Sequence, residues 1–172
     1  LATFFHTIPS AIFTGGAFIA GISAWLIIKK KDVEMARPTL KLGAITMILS
    51  FIVISVTGDY TAKIMTEQQP MKMAAAEALY ETTSNAPLSL LTIGTLDGTR
   101  SVFQIDVPSV LSFMATGDVN GTVKGINDLQ KEYEQTYGAG DYTPNVPIAY
   151  WGFRLMIGFG AIAFLFAALV LW

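Results

Sequence analysis

Cysteine is absent from the 172-residue sequence, and histidine occurs once, as His6. The first absence excludes disulfides, iron–sulfur clusters and thiolate metal sites. The second excludes a zinc or copper centre built from several imidazoles. Charge is scarce too: charged residues make up 14% of the chain and the net charge is −2. No basic surface for nucleic acid is therefore expected. A secretory signal peptide, with its basic start and cleavage site, is also missing. The chain begins at Leu1 rather than at a methionine and ends at Trp172 inside an apolar run. It reads as an internal piece of a longer protein.

What the sequence has in excess is apolar side chains, at 52% of residues, with a mean hydropathy of +0.51. They are gathered in blocks, as in membrane spans. The expected fold class is an all-α integral membrane protein with three transmembrane helices and a long outer loop. Residues 1–28 form the first expected span, stopped by Lys29, Lys30 and Lys31. Residues 42–58 form the second, closed by Gly58-Asp59, and residues 146–172 the third. The intervening 29–41 segment carries Lys29, Lys30, Lys31, Arg37 and Lys41 against Asp32 and Glu34. By the positive-inside rule it is expected on the cytoplasmic side. Residues 59–145 carry five basic side chains against eleven acidic ones and are expected outside.

The long loop has internal structure. In Gln69–Thr82, Pro70 is suited to a helix start and strong helix formers follow. Met71, Ala74, Ala75, Ala78 and Leu79 fall on one stripe, as in an amphipathic helix on a membrane or partner helices. Leu88–Val107 reads as a β-hairpin turning at Asp97-Gly98. Val123–Tyr137 reads as a polar surface helix.

Two spans contain residues that a lipid environment disfavours. His6 lies about 23 residues, or ~35 Å, above Lys29, near the outer edge of the hydrocarbon. Ionisable side chains in spans are often functional, so His6 is a candidate haem ligand. The alternative is an interfacial histidine bonded to a carbonyl or headgroup. A six-coordinate haem needs a second axial ligand, and methionine is an established one. Met156 is in a span at a depth similar to that of His6, whereas Met47 lies near the cytoplasmic side and Met35, Met65, Met71, Met73 and Met114 lie in loops. Arg154 is two residues before Met156, about 200° around the helix. It suits either a haem propionate or outer headgroups. Span one is rich in small residues, including Gly15, Gly16, Ala17, Ala20 and Gly21. They suit close helix packing or room for a flat macrocycle. Lys72 and Glu77 are about 140° apart on a helical wheel, too far round to form a pair. On spacing alone they read as solvated surface charges.

Three stretches together resemble subunit I of the cytochrome bd-type quinol oxidases: FFHTIPSAIFTGGAFIAGISAWLI around His6, GDYTAKIMTEQQPMKMAAAEALYET from Gly58 to Thr82, and YWGFRLMIGFG from Tyr150 to Gly160. The most specific is the Gln-Pro-x-Lys-x-Ala-Ala-x-Glu string from Gln69 to Glu77. The resemblance covers the whole chain but under half of such a subunit. It implies two spans, a short quinol-binding loop on the periplasmic side and the following span, in a bacterial or archaeal cell membrane. It also implies that His6 and Met156 ligate a low-spin haem b near Arg154, and that Lys72 and Glu77 act in quinol oxidation. A second haem b and a haem d, where oxygen is reduced, are implied elsewhere in the subunit. The implied partners are membrane lipid, quinol, the remainder of subunit I, subunit II and small accessory subunits. The competing class is a cofactor-free transport or scaffold subunit, and a third reading keeps a quinol site without haem. Both alternatives are colourless, whereas a haem protein absorbs visible light.

Overall fold

A computed structural model describes residues 2–95 and 100–172. The elements run α1 (Ala2–Ile28), α2 (Val33–Gln68), α3 (Pro70–Glu77), β1 (Thr83–Ser84), β2 (Leu88–Gly94), β3 (Ser101–Val107), α4 (Val110–Thr116), β4 (Thr122–Val123), α5 (Ile126–Tyr137) and α6 (Val146–Leu171). Helices α1, α2 and α6 are long and apolar enough to cross a membrane, with mean hydropathies of 2.0, 2.1 and 2.3 in their best windows. The chain divides into two compact units, one of residues 1–61 with 156–172 and one of residues 62–155.

In the first unit, the helices solve the problem of polar groups in lipid locally. Thr7, Ser10, Thr14, Thr46, Ser55, Thr57 and Thr61 each donate a hydroxyl hydrogen bond to the carbonyl four residues earlier. Each hydroxyl is thus satisfied without water. Pro9 sits inside α1, where the carbonyl of Phe5 forgoes its helical partner.

Small residues decide the approach of α1 to α2. Gly16 stands against the Gly43 carbonyl, and a Cβ on Gly43 would lie 2.8 Å from the Ala20 nitrogen and the Gly16 carbonyl oxygen. Ala44, Met47 and Ala167 form the buried centre, with Phe13, Ala17, Ala20, Ile48 and Ala163 around them. Phe51 stacks on Phe164 at 4.6 Å between centroids. Of the two roles open to the small residues of span one, Gly16, Ala17 and Ala20 therefore serve helix packing.

Helix α2 differs from its sequence reading at both ends. The 29–41 segment expected as a loop is a turn only as far as Asp32, and Val33 already begins the helix. Gly58-Asp59 do not end it; it runs on to Gln68. The glycine has another role here, because a Cβ at Gly58 would lie 3.3 Å from His6 Cε1. It makes room for an imidazole rather than stopping a helix. The 36 residues of α2 span about 54 Å, well beyond a hydrocarbon core of about 30 Å.

The second unit is built around α3. Pro70 occupies the first turn as expected. The stripe of Met71, Ala74, Ala75 and Ala78 packs with Ile126 and Leu129 of α5 and with Val146 and Tyr150 of α6. The opposite side is covered too: Met73 packs with Ala86, Leu111, Ala115 and Val123. Lys72 alone is exposed along the helix. The helix is shorter than the Gln69–Thr82 reading, because Ala78 turns left-handed at φ 51°. The Leu79 amide then closes on the Ala74 carbonyl at 2.9 Å, a Schellman-type ending that the sequence does not announce with glycine.

The exit of α3 is tied to α5 through backbone bonds from Ile126 to the Leu79 carbonyl and from Asn127 to the Tyr80 carbonyl. Strands β1 and β4 pair antiparallel, as do β2 and β3. The second pair is the expected hairpin, although its Asp97-Gly98 turn lies outside the described residues. A register shift between Ser89 and Leu91 places both Ser89 and Thr92 inward, where each is buried.

Gly43 and Gly15 predict opposite outcomes. Gly43→Ala drives a Cβ into backbone atoms and should destabilise by on the order of 1–3 kcal/mol, outweighing the roughly 1 kcal/mol gained in helix propensity. Gly15 has nothing within 4 Å of its Cβ position, so Gly15→Ala should be neutral or stabilising. Thermal unfolding of the two variants in detergent checks the difference in sign.

Candidate functional site

The polar centre of the second unit is a buried ion pair. Glu77 is the last residue of α3 and is 4% exposed. Both conditions disfavour its charge: burial removes water, and a helix C-terminus presents carbonyl dipoles of the same sign. Arg154, on α6, supplies the compensation. Its Nη2 donates to Glu77 Oε2 at 2.5 Å and its Nη1 to Glu77 Oε1 at 3.4 Å. Its Nε donates to the Ser89 carbonyl at 2.9 Å. Burial nonetheless pushes the Glu77 carboxyl above the usual carboxylate range, against the lowering pull of Arg154.

Around this pair lies a small network of hydroxyls. Tyr150, 2% exposed, accepts a 2.6 Å hydrogen bond from the Thr92 amide. Its hydroxyl lies 3.0 Å from Ser89 Oγ, and Ser89 Oγ lies 2.5 Å from Thr92 Oγ1. The Arg154 guanidinium carbon sits 4.9 Å from the centroid of the Tyr150 ring and 5.5 Å from that of Phe153, within cation–π range.

In the first unit, His6 is half-buried and its Nδ1 lies 3.2 Å from Thr57 Oγ1. The Thr57 hydroxyl proton is committed to the Val53 carbonyl at 2.8 Å. With that hydroxyl on the carbonyl, its oxygen can accept from a protonated His6 Nδ1. In the neutral Nδ1–H tautomer Nε2 carries the lone pair that a metal ligand needs. Met156 is 57% exposed, so its thioether is open to a group approaching α6. No cluster of three or more His, Asp or Glu with metal-binding geometry occurs among the described residues. These donors, one imidazole and one thioether, fit a haem iron, whose porphyrin provides the remaining ligands.

The structure thus joins Glu77 with Arg154 and leaves Lys72 apart from both. Glu77 is not the solvated surface charge that its spacing suggested; Lys72 is exposed. Thr57, Gly58, Ser89, Thr92 and Tyr150 are residues of these sites that sequence reasoning passed over. The contacts of Glu77 and Thr57 cross 77 and 51 residues, and no local pattern marks them.

The profile of a family described as cytochrome bd terminal oxidase subunit I matches residues 1–172. Among curated proteins, the chain is 40% identical over 169 residues to cytochrome bd ubiquinol oxidase subunit 1 of Bacillus subtilis, covering 97% of this chain and 36% of that protein. It is 27% identical over 171 residues to cytochrome bd-II ubiquinol oxidase subunit 1 of Escherichia coli, covering 91% and 33%. Among solved structures it matches the bd oxidase from Geobacillus thermodenitrificans with a TM-score of 0.83 and 28% identity, covering 97% of this chain and 36% of that one. The chain therefore spans about a third of the length of these relatives.

Removing one member of the buried pair should be far worse than removing both. Arg154→Ala strands a desolvated carboxyl and should destabilise by about 3–5 kcal/mol. Combining Glu77→Gln with Arg154→Met should recover most of that loss, a strong departure from additivity. Thermal denaturation of the single and paired variants in the complete subunit measures it.

Proposed function

Because this chain belongs to the cytochrome bd terminal oxidase subunit I family, we propose that it forms the quinol-oxidising portion of a terminal respiratory quinol oxidase. The observation that carries this reading is the buried Glu77–Arg154 pair: a carboxyl made basic by desolvation and held in place by a permanent cation. Quinol oxidation releases protons as electrons leave, and a carboxylate whose proton affinity is raised by burial is better suited to receive them than an ordinary one. Glu77 takes a quinol hydroxyl proton on a carboxylate oxygen. Lys72, the exposed position of α3, hydrogen-bonds a quinol oxygen and orients the ring.

His6 and Met156 would hold a low-spin haem b, with the Thr57 hydroxyl beside Nδ1 of the imidazole. Arg154, two residues before Met156, would offer its charge to an anionic group of the haem such as a propionate. When bound, the haem supplies a one-electron acceptor. In this reading residues 59–145 lie on the outer side of a bacterial or archaeal cell membrane, so that protons leave outward. Oxygen reduction, with a second haem b and a haem d, belongs to the rest of subunit I, in a complex with subunit II and accessory subunits.

His6→Ala in the complete oxidase should abolish the low-spin haem b band of the reduced-minus-oxidised spectrum. An unchanged band removes His6 as ligand.

Glu77→Gln should lower quinol-driven oxygen consumption by about 10²-fold or more while sparing oxidation of an artificial donor that reduces the haem directly. Equal losses argue against a quinol role. The carboxylate is the active form and is populated above its raised pKa. The wild-type quinol rate should therefore climb with pH through that value, and the Gln variant should lose the climb.

A further inference from the structure

Tyr150 has no part in the chemistry proposed above, yet it is among the most enclosed side chains of its unit, at 2% exposure. A phenylalanine would fill nearly the same volume. The hydroxyl therefore calls for its own explanation, and its contacts supply one. It accepts from the Thr92 amide at 2.6 Å and lies 3.0 Å from Ser89 Oγ, fixing β2 at two points on either side of the register shift. The Ser89 carbonyl in turn takes the Nε of Arg154 at 2.9 Å. Tyr150 and Arg154 are one helical turn apart, a spacing that puts them on one face, and the ring lies 4.9 Å beneath the guanidinium carbon.

We propose that Tyr150 is a positioning residue for the Glu77–Arg154 pair, its ring supporting the guanidinium and its hydroxyl, through Ser89 Oγ and the Thr92 amide, holding the strand whose Ser89 carbonyl anchors Nε. The kinetic consequence rests on the reading of Glu77 as the proton acceptor; the positioning itself does not. An anchored Nε points the two Nη groups at the carboxylate. Without the hydroxyl, the Ser89–Thr92 segment keeps only the Arg154 bond as its tie to α6, the guanidinium gains freedom, and its lowering pull on the carboxyl weakens. The Glu77 titration then moves to higher pH.

Other charged groups of the described residues lie on exposed or half-buried positions. Lys131 pairs with Asp128 and Lys124 with Glu132 on exposed faces of α5 and the preceding turn. Asp106, opposite Ser89 in the β2–β3 register, is exposed, as are Lys72 of α3 itself and Glu67 at the end of α2. Lys63 of α2 is only half-buried. Among the described residues, Arg154 is the charged group that perturbs the Glu77 carboxyl.

The test is an infrared pH titration of the complete oxidase in detergent, with the Glu77 carboxyl band identified by its absence in Glu77→Gln. Tyr150→Phe should raise the midpoint of that band by about half to one pH unit, with haem content retained. The pH profile of quinol oxidation should shift in the same direction, while Tyr150→Phe in a Glu77→Gln background should leave the profile where Glu77→Gln alone puts it. An unmoved infrared midpoint overturns the proposal. A moved midpoint with quinol oxidation indifferent to Glu77→Gln upholds the positioning and overturns the quinol reading instead. If Tyr150→Phe does not assemble, Ser89→Ala removes one hydroxyl of the same network and should move the midpoint in the same direction by less. No movement there overturns the proposal equally.

Discussion

A carboxylate at the C-terminal end of a buried helix is opposed by two forces at once, loss of water and the like-signed end of the helix dipole. Glu77 is in that position, and the contact with Arg154 makes it tenable. Much of the second unit can be understood from this requirement. The alanines at 74, 75, 76 and 78 let neighbours close around α3, which dries the carboxyl. The hairpin brings the Ser89 carbonyl to the guanidinium, and the inward turn of Ser89 and Thr92 lets Tyr150 hold that hairpin. The polar groups so enclosed are satisfied: no buried side-chain nitrogen or oxygen lacks a partner among the described residues. A buried polar cluster with that property is rigid, and rigidity keeps one arginine on one carboxylate.

The first unit answers to a different constraint. Its helices are apolar around most of their circumference, with Phe18, Leu49, Val56, Phe159 and Phe166 among many exposed apolar side chains. Water does not drive such helices together, so close contact depends on shape. Gly16 and Gly43 supply it where α1 meets α2. Gly58 supplies a different fit, clearing the space beside His6, and the Thr57 hydroxyl next to it lies 3.2 Å from the imidazole Nδ1. Adjacent residues of one helix thus set the position of the only histidine in the chain.

The sequence was readable where a property accumulates along it and opaque where a single distant partner decides the outcome. The three apolar helices follow from summed hydropathy, and the β2–β3 hairpin follows from apolar runs on either side of a turn signal. The start of α3 follows from Pro70, but its end does not, because Ala78 takes a left-handed conformation usually left to glycine. Gly58-Asp59 looked like a helix stop because glycine is a poor helix former; its value lies in what it does not place against His6. Lys72 and Glu77 gave no spacing signal, since their wheel positions do not face each other, and only the resemblance of the Gln69–Glu77 string singled them out. The partner of Glu77 lies 77 residues away, and the buried core that makes the carboxyl basic is assembled from α3, α5 and α6. Neither leaves a trace in local pattern. Tyr150 was hidden for a related reason: beside Trp151 and Phe153 it looks like one more aromatic of a span.

The choice of arginine as the partner has a chemical consequence. A buried lysine gives up its proton readily, so a lysine–glutamate pair in dry surroundings can neutralise itself by moving a proton from one member to the other. Guanidinium does not deprotonate in proteins. In the Glu77–Arg154 pair the carboxyl is therefore the only titrating member, and a proton arriving from outside changes the charge of the site by a full unit instead of being absorbed within it. The planar fork adds direction, since Nη1 and Nη2 face the two carboxylate oxygens while Nε is held by the Ser89 carbonyl. A lysine ammonium could supply the charge but could not be held in that orientation by a backbone carbonyl. Basicity and orientation are thus set separately, the first by the enclosure of α3 and the second by the strand and ring that hold Arg154.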